Sequence, residues 1–93
     1  MHPSQASGIE WDDGNERELA RHGISLLDVL QVFANGPVWG RNKNNRAGQY
    51  KMVGQTNGGR LLTIIILMAA GSEQARPITG WDSTLGETTR YRR

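Results

Sequence analysis

Apolar and polar positions change period along this chain, and the changes mark its elements. Ile9-Glu10-Trp11 reads as a short extended piece. Asp12 or Asp13 then suits a helix N-cap, and Glu16 and Glu18 fall in the first turns, where acids favour the helix dipole. This helix is predicted to run to His22 and stop at Gly23, because glycine is the usual residue just past a helix end. Ser25-Leu26-Leu27-Asp28 is a variant capping box. Leu26, Val29, Leu30 and Phe33 follow at i, i+3, i+4 and i+7, the apolar stripe of a second helix that Asn35-Gly36-Pro37 ends.

Beyond that point the pattern is strand-like. Val38-Trp39-Gly40-Arg41 is predicted as an edge strand, and the polar stretch 42–48 as an exposed loop. Gln49 to Thr56 reads as a strand, and Asn57-Gly58-Gly59 signals a hairpin, with Asn57-Gly58 and Gly58-Gly59 both admissible as its two-residue loop. Arg60 to Ala69 is apolar on both faces, as a central strand is. Gly71 to Gln74 turns the chain, and Ala75 to Trp81 forms the last strand. Thr84-Leu85-Gly86-Glu87 is a capping box for a helix that carries Tyr91 and ends in arginine. The predicted class is α+β: two N-terminal helices packed on a small, mainly antiparallel sheet, with a C-terminal helix. Residues 1–8 are expected to be a flexible arm, and 9–93 one domain.

Composition narrows the chemistry. Ninety-three residues suit one domain with a modest core. There is no cysteine, which excludes disulfides and thiolate metal sites. His2 and His22 are the only imidazoles, and a structural zinc site normally takes four ligands, so no metal and no cofactor are expected. The apolar run 61–70 is about half a membrane span, and the N-terminus lacks the apolar stretch of a signal peptide, so a cytoplasmic protein without membrane contact is expected. Net charge is +2 but unevenly spread. Residues 1–28 hold six acids against two arginines, a balance of −4; residues 29–93 hold nine basic residues against three acids, a balance of +6. No acid occurs between Arg41 and Arg60. A basic half suits a polyanion or an acidic protein, and is also what a solvated basic face looks like.

Several strings go further. They are Glu10-Trp11-Asp12, Asn15, Arg21-His22-Gly23-Ile24-Ser25 and Val32-Phe33-Ala34, then Gly59-Arg60-Leu61-Leu62, Arg76-Pro77-Ile78-Thr79, Glu87, Tyr91 and Arg92. In these, from about Ile9 to Arg92, the chain resembles the BrnT family of type II toxin–antitoxin ribonuclease toxins, which share the RelE-like fold. The resemblance implies RNA cleavage that inhibits translation, neutralised by a tightly bound antitoxin. It also implies that the antitoxin carries a DNA-binding part, through which alone the complex reaches operator DNA. The chain departs from the family pattern at Gly48-Gln49-Tyr50 and at Thr79-Gly80-Trp81, where an amide or an aromatic ring replaces a charged position. A non-catalytic RNA- or antitoxin-binding module of the same fold is therefore the alternative.

Metal-free RNA cleavage needs a base for the 2′-hydroxyl, a cation for the phosphorane and an acid for the leaving oxygen. His22 is the candidate base or acid, since histidine is the side chain most often used for proton transfer, although a histidine at a helix C-terminus is also favoured by the dipole. Arg60 and Arg76 are candidate phosphate clamps. They open successive antiparallel strands, which places them at opposite ends of the hairpin. Lys43 and Lys51 are candidate phosphate contacts, or plain surface lysines. Tyr50 and Trp81 are candidate stacking surfaces for unpaired bases, and Trp39 shares that possibility; sheet packing is the alternative for each. Asp82 reads as a helix cap in competition with Ser83 and Thr84.

Overall fold

The computed structural model describes residues 1–41 and 49–92. Lys43 and the predicted loop 42–48 lie outside the described residues. In chain order the elements are β1 (Gly8–Ile9), α1 (Asp13–Ala20), α2 (Leu26–Ala34), β2 (Val38–Arg41), β3 (Gln49–Gln55), β4 (Leu61–Leu67), β5 (Gln74–Asp82) and α3 (Leu85–Tyr91). The sheet order is β1-β5-β4-β3-β2. β2 to β5 pair antiparallel, and β1 lies parallel to the start of β5, with Gly8 opposite Gln74 and Ile9 opposite Ala75. The class is α+β, as the periodicity predicts.

Local chemistry sets the helix ends. Asp12, not Asp13, caps α1, accepting the amides of Gly14 and Asn15 at 2.9 and 3.2 Å. The Asn15 side chain returns a bond to the Asp12 amide and donates to the Glu10 carbonyl at 2.8 Å, which ties β1 to α1. Helix α1 ends at Ala20, and residues 21–23 close it with Gly23 at φ 69°. Ile24 and Gly23 donate to the carbonyls of Leu19 and Ala20, the crossed pair of a glycine-terminated helix. Ser25 and Asp28 form the predicted capping box of α2, and Thr84 and Glu87 that of α3. Thr84 is thus the cap, and Asp82 is released for another partner.

The β3–β4 hairpin takes neither two-residue loop. Gly59 donates to the Thr56 carbonyl, Thr56 donates to the Arg60 carbonyl, and Gly59, not Gly58, has the positive φ of 91°. The loop is therefore three residues, 57–59, with a left-handed glycine completing a type I turn. In β5 the register slips, with Ile65 opposite Thr79 but Ile66 opposite Pro77, so Ile78 is extra. The bulge falls beside Pro77, which has no amide to give the ladder.

Two glycines seat α1 and α2 on one sheet face. A Cβ on Gly54 would lie 3.1 Å from Val32, and one on Gly80 would lie 3.1 Å from Ile24 and 3.2 Å from Leu19. Met52, Leu62, Ile64 and Ile66 share that face by register and are fully buried. The apolar stripe of α2 is rotated from its predicted place: Val29 and Val32 are buried, whereas Leu30 is 43% exposed. Val32 wins because side-chain-free Gly54 lets it approach. Within residues 1–8, expected to be a flexible arm, several side chains meet the rest of the fold. Pro3 is fully buried, Ser7 donates to the Glu73 carbonyl at 2.8 Å, and the His2 ring meets Trp39 and Tyr50 edge-on at 5.4 and 5.1 Å. Aromatic contact and strand pairing hold what composition alone marks as polar and loose.

Candidate functional site

The opposite sheet face carries the densest polar chemistry. Lys51 lies two residues from Val53, Val53 pairs with Thr63, and Thr63 pairs with Trp81, so all four project to one side. Helix α3 lies over them and sends Glu87 inward. The Oε1 atom of Glu87 accepts from the Thr84 amide at 2.8 Å, the Thr63 hydroxyl at 2.9 Å and the Trp81 indole at 3.0 Å. Its Oε2 accepts from Lys51 Nζ at 3.1 Å. Thr63 spends its proton on Glu87, so it accepts from the Ser83 hydroxyl at 2.9 Å. Burial pushes the Glu87 carboxyl up, but the Thr84 amide, the Trp81 indole, Thr63 and Lys51 outweigh it and hold the group at about 2. The lysine and glutamate side chains are 21% and 13% exposed, so this pair is largely withdrawn from water. Beside it lies a cavity of about 20 Å³ bounded by Val38, Lys51, Val53, Glu87, Arg90 and Tyr91.

Tyr50, next to Lys51, points to the other face and packs on His2 and the core. Of the sequence candidates for RNA contact, the structure therefore brings Lys51 and Trp81 together and separates Tyr50 from them.

A second cluster surrounds the α1–α2 turn. Arg60 Nε and Nη2 hold both Asp82 oxygens, at 2.7 and 3.2 Å. The same guanidinium donates to the carbonyls of Gly23 at 2.7 Å and His22 at 3.2 Å. Hydrogen bonding to Asp82 raises the Arg60 pKa and lowers that of Asp82. Asp82 thus anchors an arginine rather than capping a helix. The His22 imidazole is exposed, with Nε2 3.4 Å from Glu18. Glu18 also accepts from the Thr79 hydroxyl at 2.9 Å and from Arg21 at 3.0 Å; the Thr79 bond is the main cause of its lowered pKa.

Arg76 stands apart. Leu62 pairs with Asp82 at one end of β4 and Leu67 with Arg76 at the other, so His22 and Arg60 share one end of the sheet and Arg76 has the opposite one. Arg76 Nη1 meets Glu10 and Asp12 at 2.7 Å each. The Arg76 hydrogen bond is the chief cause that lowers Asp12 to about 2. His22, Arg60 and Arg76 therefore do not converge. Among the described residues, no group of three or more histidine, cysteine, aspartate or glutamate side chains is placed to hold a metal ion. No helix among them is long and apolar enough to cross a membrane.

Glu87, which the sequence marks as a capping partner and as one of the residues of the BrnT resemblance, is absent from the sequence candidates for the site. One signal was present: Thr63 interrupts the run Leu61-Leu62-Thr63-Ile64-Ile65-Ile66, and a hydroxyl in a buried strand requires a partner.

No protein-family model matches the sequence, and no curated protein matches it significantly. Among solved structures, the chain is similar to the ribonuclease toxin BrnT of Brucella abortus, at 20% identity and a TM-score of 0.58, over 83% of this chain and 96% of that one. The fold is BrnT-like. The likeness spans nearly all of the BrnT chain.

Proposed function

We propose that this chain is the toxin of a type II toxin–antitoxin pair, an endoribonuclease that cleaves RNA without a metal, inhibits translation in the cytoplasm, and is neutralised by a tightly bound antitoxin. The observation that carries the reading is the BrnT-like fold, since the solved protein of that fold is a ribonuclease toxin. The placement of Lys51 and Trp81 on one sheet face supports it, because an ammonium and an indole N–H turned towards one point suit a phosphate oxygen. On this reading His22 moves the proton to or from the ribose hydroxyl and the leaving oxygen. Arg60 and Arg76 exchange their carboxylates for phosphates, and Lys43 adds a contact to the RNA. The partner is a small antitoxin with a DNA-binding part, through which alone the complex meets operator DNA.

One observation favours a second reading, a binding module without cleavage. Arg60 and Arg76 both already hold carboxylates of this chain, and the three proposed catalytic residues sit at two ends of the sheet.

Expression of the chain alone and with its neighbouring gene product, with growth followed and RNA ends mapped, separates the two. Growth arrest with new RNA ends, lost in a His22→Ala/Arg60→Ala double variant that remains folded, is the expected result. Arrest with intact RNA would sink cleavage and leave binding. Absence of arrest with folded protein would sink the toxin reading.

A further inference from the structure

Three donors of the sheet converge on one anion. Lys51 offers an ammonium, Trp81 an indole N–H, and Thr63 a hydroxyl whose oxygen is already occupied by Ser83. Thr63 is fully buried. A convergent, net-positive set of donors selects an anion. Trp81 belongs to that set through its N–H, not through its ring face.

The anion in place is the carboxylate of Glu87, brought by a helix that is lightly held. Helix α3 is seven residues long, buries none of them, and leaves Leu85 84% exposed. So short a helix has little stability of its own, and Glu87 ties it to the sheet through Lys51, Thr63 and Trp81. With α3 seated, the adjoining cavity of about 20 Å³ holds roughly one water and leaves no room for a phosphate.

We propose that Lys51, Thr63 and Trp81 form a phosphate subsite, which Glu87 occupies as an internal stand-in until a nucleic-acid phosphate displaces it and α3 withdraws. The subsite deepens the toxin reading: it rests on that reading for RNA as the source of the phosphate, and on the donor geometry for the anion. A phosphate matches the cradle because it brings negative charge and several acceptor oxygens to the same three donors. Withdrawal of α3 also bares Val53, which lines the cavity and gives an adjacent base an apolar floor.

The test uses the full chain with Glu87→Ala, titrated with inorganic phosphate at constant ionic strength while the indole N–H resonances are followed by NMR. The three tryptophans make this selective, since Trp11 and Trp39 serve as internal controls. The expected result is a saturable shift of the Trp81 resonance alone, at a dissociation constant at least roughly ten-fold lower than in the unaltered chain. The shift should vanish in a Lys51→Met/Glu87→Ala variant. A folded Glu87→Ala protein whose Trp81 resonance stays still overturns the proposal, as does an equal shift in the unaltered chain or one that survives loss of Lys51. If Glu87→Ala does not fold, Glu87→Gln takes its place, with an affinity between those of the alanine variant and the unaltered chain expected. Unfolding of both variants would make Glu87 a carboxylate the sheet cannot spare, and would also overturn the proposal. Phosphate binding without cleavage of a short single-stranded RNA would defeat the ribonuclease reading and leave the subsite standing. Cleavage without a phosphate-specific shift would do the reverse.

Discussion

Single side chains in this protein hold several backbone and side-chain groups at once. Asn15 is buried and joins the Asp12 amide to the Glu10 carbonyl, so it closes the start of α1 and the end of β1 together. Asn15→Ala leaves both groups without their partner and is predicted to cost about 2 kcal/mol, read from the urea midpoint. A change below roughly 0.5 kcal/mol, the usual size of a surface substitution, would count against that role. Arg60 ties the His22 and Gly23 carbonyls to Asp82. Arg60→Ala is therefore predicted to speed amide exchange at His22, Gly23 and Ile24, while costing only about 1 kcal/mol because the ion pair faces water. Unchanged exchange at those amides would show that the guanidinium does not hold the turn. Any growth phenotype of the Arg60 variant has to be read beside this measurement, since turn loosening and loss of an RNA contact both remove function.

At the level of helices and strands, close approach decides more than propensity. Gly80 faces the Leu19–Ile24 pair, and a Cβ there would also stand 2.9 Å from the Thr63 carbonyl oxygen, which is ladder backbone and cannot yield freely. Gly80→Ala is predicted to destabilise by about 1–3 kcal/mol, measured by thermal and urea unfolding; a neutral result would mean that α1 rides outward without penalty. Helix caps were legible in sequence because they are local: Ser25 with Asp28 and Thr84 with Glu87 lie three residues apart. The buried face of α2 was legible in part: Val29 and Phe33 lie on it as the spacing predicts, whereas Val32 takes the place of Leu30. Val32 is seated by Gly54 from another element, and no spacing within the helix contains that information. The hairpin loop shows the same limit, since Thr56 pairing with Arg60 selects three residues where the glycines permitted two.

For the molecule as a whole, the acidic N-terminal part and the basic remainder are joined by ion pairs. Arg76 reaches Glu10 and Asp12, and Arg60 stands 4.0 Å from Asp28. The Lys51–Glu87 and Arg76–Asp12 pairs carry a pH signature. Glu87 has a folded pKa of about 2 against an ordinary 4.5, and Asp12 about 2 against 3.8. Both folded values are depressed, so the unfolded chain binds more protons between them. Their stabilisation is present in full above about pH 4.5 and is lost as pH falls towards 2. Acid unfolding is predicted to lie in that window, and Glu87→Gln should flatten the dependence while lowering stability at neutral pH. An equally steep profile in the variant would remove Glu87 as a cause.

The chain's own order of residues suffices for the class, the helix caps, the strand-rich second half and the separation of Arg60 from Arg76. Each follows from short-range periodicity or from the antiparallel sense of one hairpin. Tertiary packing alone decided two other things: that Pro3 and His2 pack on the rest of the fold, and that Glu87 closes a cluster with Lys51, Thr63 and Trp81. Those partners are separated by up to 36 residues in the chain. A hydrogen bond depends on distance and angle in space, and such separations leave no local spacing from which to read it.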